Sequence, residues 1–201
     1  SMSMAEMKRA LEDLNRLVDA QSNMNTRFRR AERLNSSREE LRELSDLQEE
    51  IETKVARLDH ELLQSEGLEE VRGNLKQAQK EMGFAAAGAR RGDPGKSKRS
   101  GDRAKQSLLN ASDRMSARLE QIASGALSSL EKAARSLATR EAAAAAAESR
   151  EQQANGGESG SAEALRDEQK AISEDLNALL SEFDKTGVEL EDHYSELSQE
   201  L

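Results

Sequence analysis

Between Arg38 and Met82 the apolar residues Leu44, Leu47, Ile51, Val55, Leu58 and Leu62 follow one another in steps of three and four, with Glu, Lys and Arg between them. That spacing places them on one face of an α-helix and the charges on the other. The run opens on the signature Leu44-x-Asp46-x-Gln48, and the same signature occurs twice more. Leu17-x-Asp19-x-Gln21 leads to Met24 and Phe28, and Leu165-x-Asp167-x-Gln169 leads to Ile172, Leu176, Leu179 and Phe183. The pattern predicts an all-α chain of long amphipathic helices, packed as antiparallel hairpins in an extended helical bundle or coiled coil.

A first helix is expected from Met4 to Leu34, within an N-terminal segment 1–36. Ser37-Arg-Glu-Glu40 then matches a capping box and opens the first Gln-centred repeat, 37–82. A connection this short makes the two helices antiparallel neighbours, the alternative being one uninterrupted helix. Glycine costs about 1 kcal/mol against alanine inside a helix, so a kink or tight turn is expected at Gly67. Residues 83–101, rich in glycine and in Lys and Arg, have the composition of a basic linker. An alanine-rich helix follows over 102–154, its apolar positions running from Leu108 through Met115, Leu119 and Leu130 to Leu137 with a period near 3.67, which favours straight packing. After a Gly/Ser linker at 155–161, residues 162–201 restate the first repeat with an offset of 121 up to Phe183 and of 122 from Leu190 on, and Gly187 matches Gly67 within one residue. This second repeat stops before a counterpart of Met82, so the chain is expected to be a fragment of a longer protein.

Composition narrows the fold further. Hydrophobic residues make up 35% and charged ones 34%, and the mean hydropathy is −0.85, too polar for a thick core. Phe28, Phe84, Phe183 and Tyr194 are the only rings, which points away from β-sandwiches and α/β enzymes. The absence of cysteine removes disulfides, thiolate metal sites and cysteine nucleophiles. No apolar run approaches the roughly 20 residues that span a bilayer. The net charge of −9 is uneven: residues 83–106 carry seven Lys or Arg against two Asp or Glu, and residues 151–201 carry three against fourteen. Such a balance argues against specific nucleic-acid binding by the chain as a whole.

Gln21, Gln48 and Gln169 lie at the edge of the apolar stripe, where a buried glutamine layer sets the register between helices. The plain alternative is a solvent-facing glutamine on a helix flank. Asp59, His60 and Glu61 are consecutive and fan around the helix, so they do not converge on a metal. Glu189 and His193 share a face but are two ligands, too few for a structural site. Gly92-Asp-Pro-Gly95-Lys-Ser97 lacks the spacing of a phosphate-binding loop. No catalytic, cofactor-binding or metal-binding residue is assigned.

The reading that follows is a non-enzymatic helical scaffold or assembly module whose partners are protein helices, a second copy included. Its interface is expected to be an antiparallel pairing of the two Gln-centred repeats through Leu44, Ile51, Val55, Leu58 and Leu62 on one side and Leu165, Ile172, Leu176, Leu179 and Phe183 on the other. The alternative is a peripheral module that binds anionic membrane surfaces through Arg27–Arg33 and Lys96–Lys105.

The succession Leu-x-x-x-Gln-x-x-Ile, then Leu-x-x-Ala-x-x-x-Met at 75–82, then Ala-x-x-x-Met-x-x-x-Leu at 111–119 with the small-residue stretch 124–137, resembles a poorly characterised family of bacterial membrane-anchored proteins. In that family transmembrane helices near the N-terminus precede a long helical region outside the cytoplasm built of such repeats. The resemblance implies an extracytoplasmic location at the bacterial inner membrane, and it brings no catalytic residues. The membrane segments themselves are missing from this sequence.

Overall fold

A computed structural model describes residues 2–153, 167 and 169–181. Among these residues the chain is all-α, with no strand: α1 (Met4–Leu34), α2 (Arg38–Glu61), a short 3-10 turn (Leu62–Gln64), α3 (Glu69–Arg90) and α4 (Pro94–Gln153), followed by helical residues 169–181. Two compact units are formed, Ser1–Glu120 and Gln121–Leu201, and α4 contributes to each.

The first unit is a four-helix bundle of α1, α2, α3 and the start of α4. Successive helices are antiparallel, because contact partners ascend along one helix as they descend along the next. Asp59 pairs with Arg72 at 3.0 Å and Ser45 reaches Ala86 at 3.0 Å; Glu81 pairs with Arg103 at 3.0 Å while Glu70 pairs with Arg114. The ring closes where α4 returns to α1, Lys105 donating to Ser22 and Ser112 to Asn15.

Local chemistry fixes each reversal. At the end of α1, Asn35 takes the left-handed conformation and Ser36 N–H reaches back to the Ala31 carbonyl, tying off the helix. Ser37 then caps α2 through the reciprocal bonds with Glu40 that its sequence foretells, and Ser3 does the same for α1 with Glu6. α2 stops at Glu61, and the chain turns through Gly67, at φ +78°, before α3 begins. Leu62 and Leu68 flank this turn, fully buried, and close that end of the core.

The basic linker expected over 83–101 is not a linker. α3 continues to Arg90 and α4 opens at Pro94, so the helix expected from Asp102 begins eight residues earlier. The reversal takes three residues. Gly92, at φ +80°, lets its own N–H reach the Ala89 carbonyl and the Asp93 N–H reach that of Gly88. Asp93 in turn caps α4, its Oδ1 accepting the Lys96 N–H at 2.8 Å, and Pro94 occupies the first helical position, where a missing N–H costs nothing. Gly88, Gly95 and Gly101 in this segment serve packing. A Cβ on Gly88 would stand 2.7 Å from Ser97 Oγ, so the hairpin closes tightly only with glycine there.

The core is thin but continuous. Leu14, Leu17, Met24 and Phe28 of α1, Ile51, Val55 and Leu58 of α2, Val71, Leu75 and Met82 of α3 and Leu108, Met115 and Leu119 of α4 are buried, each large side chain contributing on the order of 2 kcal/mol. Towards the α3–α4 reversal the large residues give way to Ala85, Ala86, Ala89, Ser97 and Ser100, all buried, and the helices draw close.

In the second unit, residues 169–181 run antiparallel to α4. Ile172 lines one cleft with Ala144 and Leu176 another with Ala134, and an ion pair joins Arg140 and Asp175. The alanine run 142–147 is therefore partly covered, Ala144 being buried. The linker expected at 155–161, and the expected break at Gly187, fall outside the described residues.

Replacing Asp93 by Ala removes the cap of α4 and should cost about 1 kcal/mol, read as a lower urea midpoint by circular dichroism. An unchanged midpoint would show that the three-residue reversal does not depend on it.

Candidate functional site

Gln21 and Gln48 are fully buried and face each other across α1 and α2. Gln48 Nε2 donates to Gln21 Oε1 at 2.8 Å, and Gln21 Nε2 returns a bond to Gln48 Oε1 at 3.0 Å. Gln21 Nε2 also donates to Asn25 Oδ1 at 2.8 Å, one turn along α1. Asn25 Nδ2 reaches Asp102 Oδ1 on α4 at 3.2 Å, and the other Asp102 oxygen holds Lys98 at 3.0 Å. A chain of hydrogen bonds thus crosses the core from α2 through α1 to α4 and ends at the surface.

The layer is possible because α4 presents Gly101 to it. A Cβ at that position would lie 2.1 Å from Asn25 Oδ1 and 3.1 Å from Gln21 Nε2, so any side chain there would break the network. Two serines serve the neighbouring levels: Ser45 Oγ donates to the Ala86 carbonyl at 3.0 Å, and Ser97 Oγ to the Ala85 carbonyl at 2.7 Å. Each satisfies its hydroxyl at a point where a larger residue would hold the helices apart.

A reciprocal amide pair adds little net stability, since both groups are well solvated when unfolded. Its effect is on alternatives. Sliding α2 by one turn against α1 would set each amide against apolar side chains such as Leu17 or Met24, and a buried unpaired amide costs about 1–3 kcal/mol.

The third glutamine behaves differently. Gln169 is exposed, because residues 169–181 face α4 with Ile172 rather than with the glutamine edge, and Ala144 and Ala145 are the small side chains of α4 beside it. The residues expected to pair the two Gln-centred repeats belong to different units. The first repeat already has its stripe covered inside its own bundle, where Ile51, Val55, Leu58 and Leu62 are buried and Leu44 is half-buried. Within the second repeat, Ile172 is buried, Leu179 half-buried and Leu176 43% exposed. Leu165 and Phe183 fall outside the described residues. Leu127, Leu130 and Ala134 of α4 join Leu176, Leu179 and Leu180 around an open cleft of about 570 Å³, in which Glu131 is the one charged lining residue. Leu127 and Leu180, 43% and 52% exposed, were not anticipated as interface residues. Leu180 adjoins Leu179 in sequence, which was the available signal.

No group of three or more His, Asp or Glu among the described residues is placed to hold a metal ion. His60 is exposed, and His193 lies outside the described residues. Burial, then the charge of Glu49, pushes the Glu52 carboxyl up; the Ser3 backbone N–H and then its hydroxyl hold Glu6 below the usual carboxylate range. Both are consequences of helix ends and edges rather than parts of a reaction centre. The groove between α1 and α2, about 330 Å³, is walled by Asp13, Arg16, Lys54, Arg57 and Glu61 over Leu17 and Leu58. In the phosphate-loop-like string 92–97 the place an anion would take at the start of α4 is filled by the Asp93 carboxylate. No helix among the described residues is long and apolar enough to cross a membrane. The chain matches no protein-family model, no curated protein and no solved structure.

Substituting Gln48 alone by Leu strands the Gln21 amide and should cost roughly 1–3 kcal/mol in urea unfolding, while Gln21→Leu/Gln48→Leu together should recover most of it. A double variant no more stable than the single one would show that the pair does not act as a unit. Gly101→Ala should destabilise by about 1–3 kcal/mol despite alanine's better helix propensity, and less when Asn25 is also Ala. Equal costs in the two backgrounds would remove Asn25 as the obstacle.

Proposed function

We propose that the chain is a non-enzymatic helical scaffold, an assembly module that binds other helices, a second copy of itself included, through its apolar stripes. The observation that carries this reading is the contrast between the two units. The first buries its stripes by laying one hairpin on another; the hairpin of the second has an apolar cleft with Leu127, Leu176 and Leu180 substantially exposed. Here two helices leave part of their apolar faces open, and the arrangement that covers such faces in the first unit is a second hairpin. A second copy supplies one of matching shape, and an interface of a surface with itself closes after two subunits. The buried glutamine layer supports the same reading, because a scaffold must hold one register under load.

Static light scattering of the whole chain across a concentration series tests the proposal. A mass near twice that of the 22.1 kDa chain is expected, falling to a single chain when Leu127, Leu176 and Leu180 are replaced by Asn. A single chain at every concentration, or a dimer indifferent to those substitutions, would overturn the self-pairing.

A further inference from the structure

The antiparallel order of the first bundle brings together two basic segments that lie far apart in sequence. The α1–α2 and α3–α4 reversals stand at the same end, where the Glu32 side chain lies against Gly95 and Arg90 reaches Glu49 at 2.7 Å. Residues 27–43 and 88–99, which form this pole, carry eleven Lys or Arg against five Asp or Glu. The opposite reversal, residues 57–72, carries two against five. Arg30, Arg33 and Arg38 around the first reversal, and Arg91, Lys96 and Arg99 around the second, are exposed and engage in no ion pair among the described residues. Between Arg33 and Arg38 the last residue of α1, Leu34, is 64% exposed, more than any other large apolar side chain described.

From this juxtaposition we infer that the pole is a docking surface for an anionic lipid membrane. The arginine forks suit phosphate oxygens, and a surface rather than a strand meets cations distributed over the ends of four helices at once. Leu34 decides between polyanions. In a membrane it enters the interfacial layer beneath the headgroups; along a nucleic acid it has no apolar environment to enter. Nor does either reversal carry an exposed ring on which bases could stack: within 27–43 and 88–99 the one aromatic residue, Phe28, is fully buried. The acidic far reversal turns the bundle so that this pole leads. This surface is separate from the cleft of the second unit, and dimerisation and membrane docking stand or fall independently.

Co-sedimentation of the whole chain with vesicles of mixed phosphatidylcholine and phosphatidylglycerol, at low and high salt, tests the inference. Binding is expected at low salt and should weaken as salt rises. Each cation is worth about fivefold in partitioning, so Arg30→Gln/Arg33→Gln/Arg91→Gln should reduce it roughly a hundredfold. Leu34→Ser should reduce it about fivefold at unchanged charge. All four side chains are exposed, and circular dichroism should show helicity and unfolding midpoint unaltered. Equal binding to pure phosphatidylcholine vesicles, indifference to the triple substitution, or binding to duplex DNA in preference to vesicles would overturn it.

Discussion

Everything in the first unit depends on close helix approach across narrow apolar stripes. With a third of its residues charged, the chain cannot surround a thick core, so each helix must be covered on a strip about two residues wide by its neighbours. Coverage of that kind is short-ranged: dispersion between side chains fades within an ångström of separation. The small residues at the α3–α4 end are therefore as much a part of the core as the leucines at the other. Gly88, Ala85, Ala86 and Ser97 contribute little apolar area themselves, yet they set the distance at which α2, α3 and α4 meet.

The glutamine pair sits at the level where this closeness would otherwise be least specific. Leucine and alanine stripes repeated every three or four residues offer several registers of similar energy, one turn apart. Placing two amides that bond each other across the helices into the stripe makes those registers unequal. Gly101 completes the device, since it brings α4 near enough for Asn25 to link the pair to Asp102. The linkage to a surface ion pair anchors the layer to three helices rather than two.

Much of the fold was legible. The steps of three and four gave the helices, and the run of Ser37 to Glu40 gave a reversal in the place where it occurs. Gly67 marked a break, and the structure shows one. The α3–α4 reversal was misread because composition was weighed over position: Gly92-Asp93-Pro94 is a helix terminator, a cap and a first-turn proline in sequence, a stronger statement than the abundance of glycine around it. Gly88, Gly95 and Gly101 looked like breakers for the same reason. A glycine on the inner face of a helix is a spacer, and only the periodicity carried on through it, here from Met82 through Ala85 and Ala89, distinguishes the two. The glutamines were visible as candidates, but their partners were not, because Asn25 and Gly101 lie 76 residues apart and no local pattern joins them. Gln169 shares the Leu, Asp and Ile of its signature with Gln48 and is exposed. What separates them is the opposing helix, which offers an amide in one case and alanines in the other.

That difference bears on what a repeated signature encodes. Leu-x-Asp-x-Gln specifies a helix with one apolar face and a polar group at its margin; it does not specify what lies opposite. In α1 and α2 two copies of the signature meet, and each completes the other. Along residues 169–181 the copy meets Ala144 and Ala145 of α4, small side chains that leave the apolar stripe only partly covered. A segment of this kind is stable in proportion to the cover it receives, so its free energy is tied to association in a way that the first bundle's is not. The two units thus differ in how their apolar faces are treated: the first buries its stripes among its own helices, and the second leaves Leu127, Leu176 and Leu180 substantially exposed.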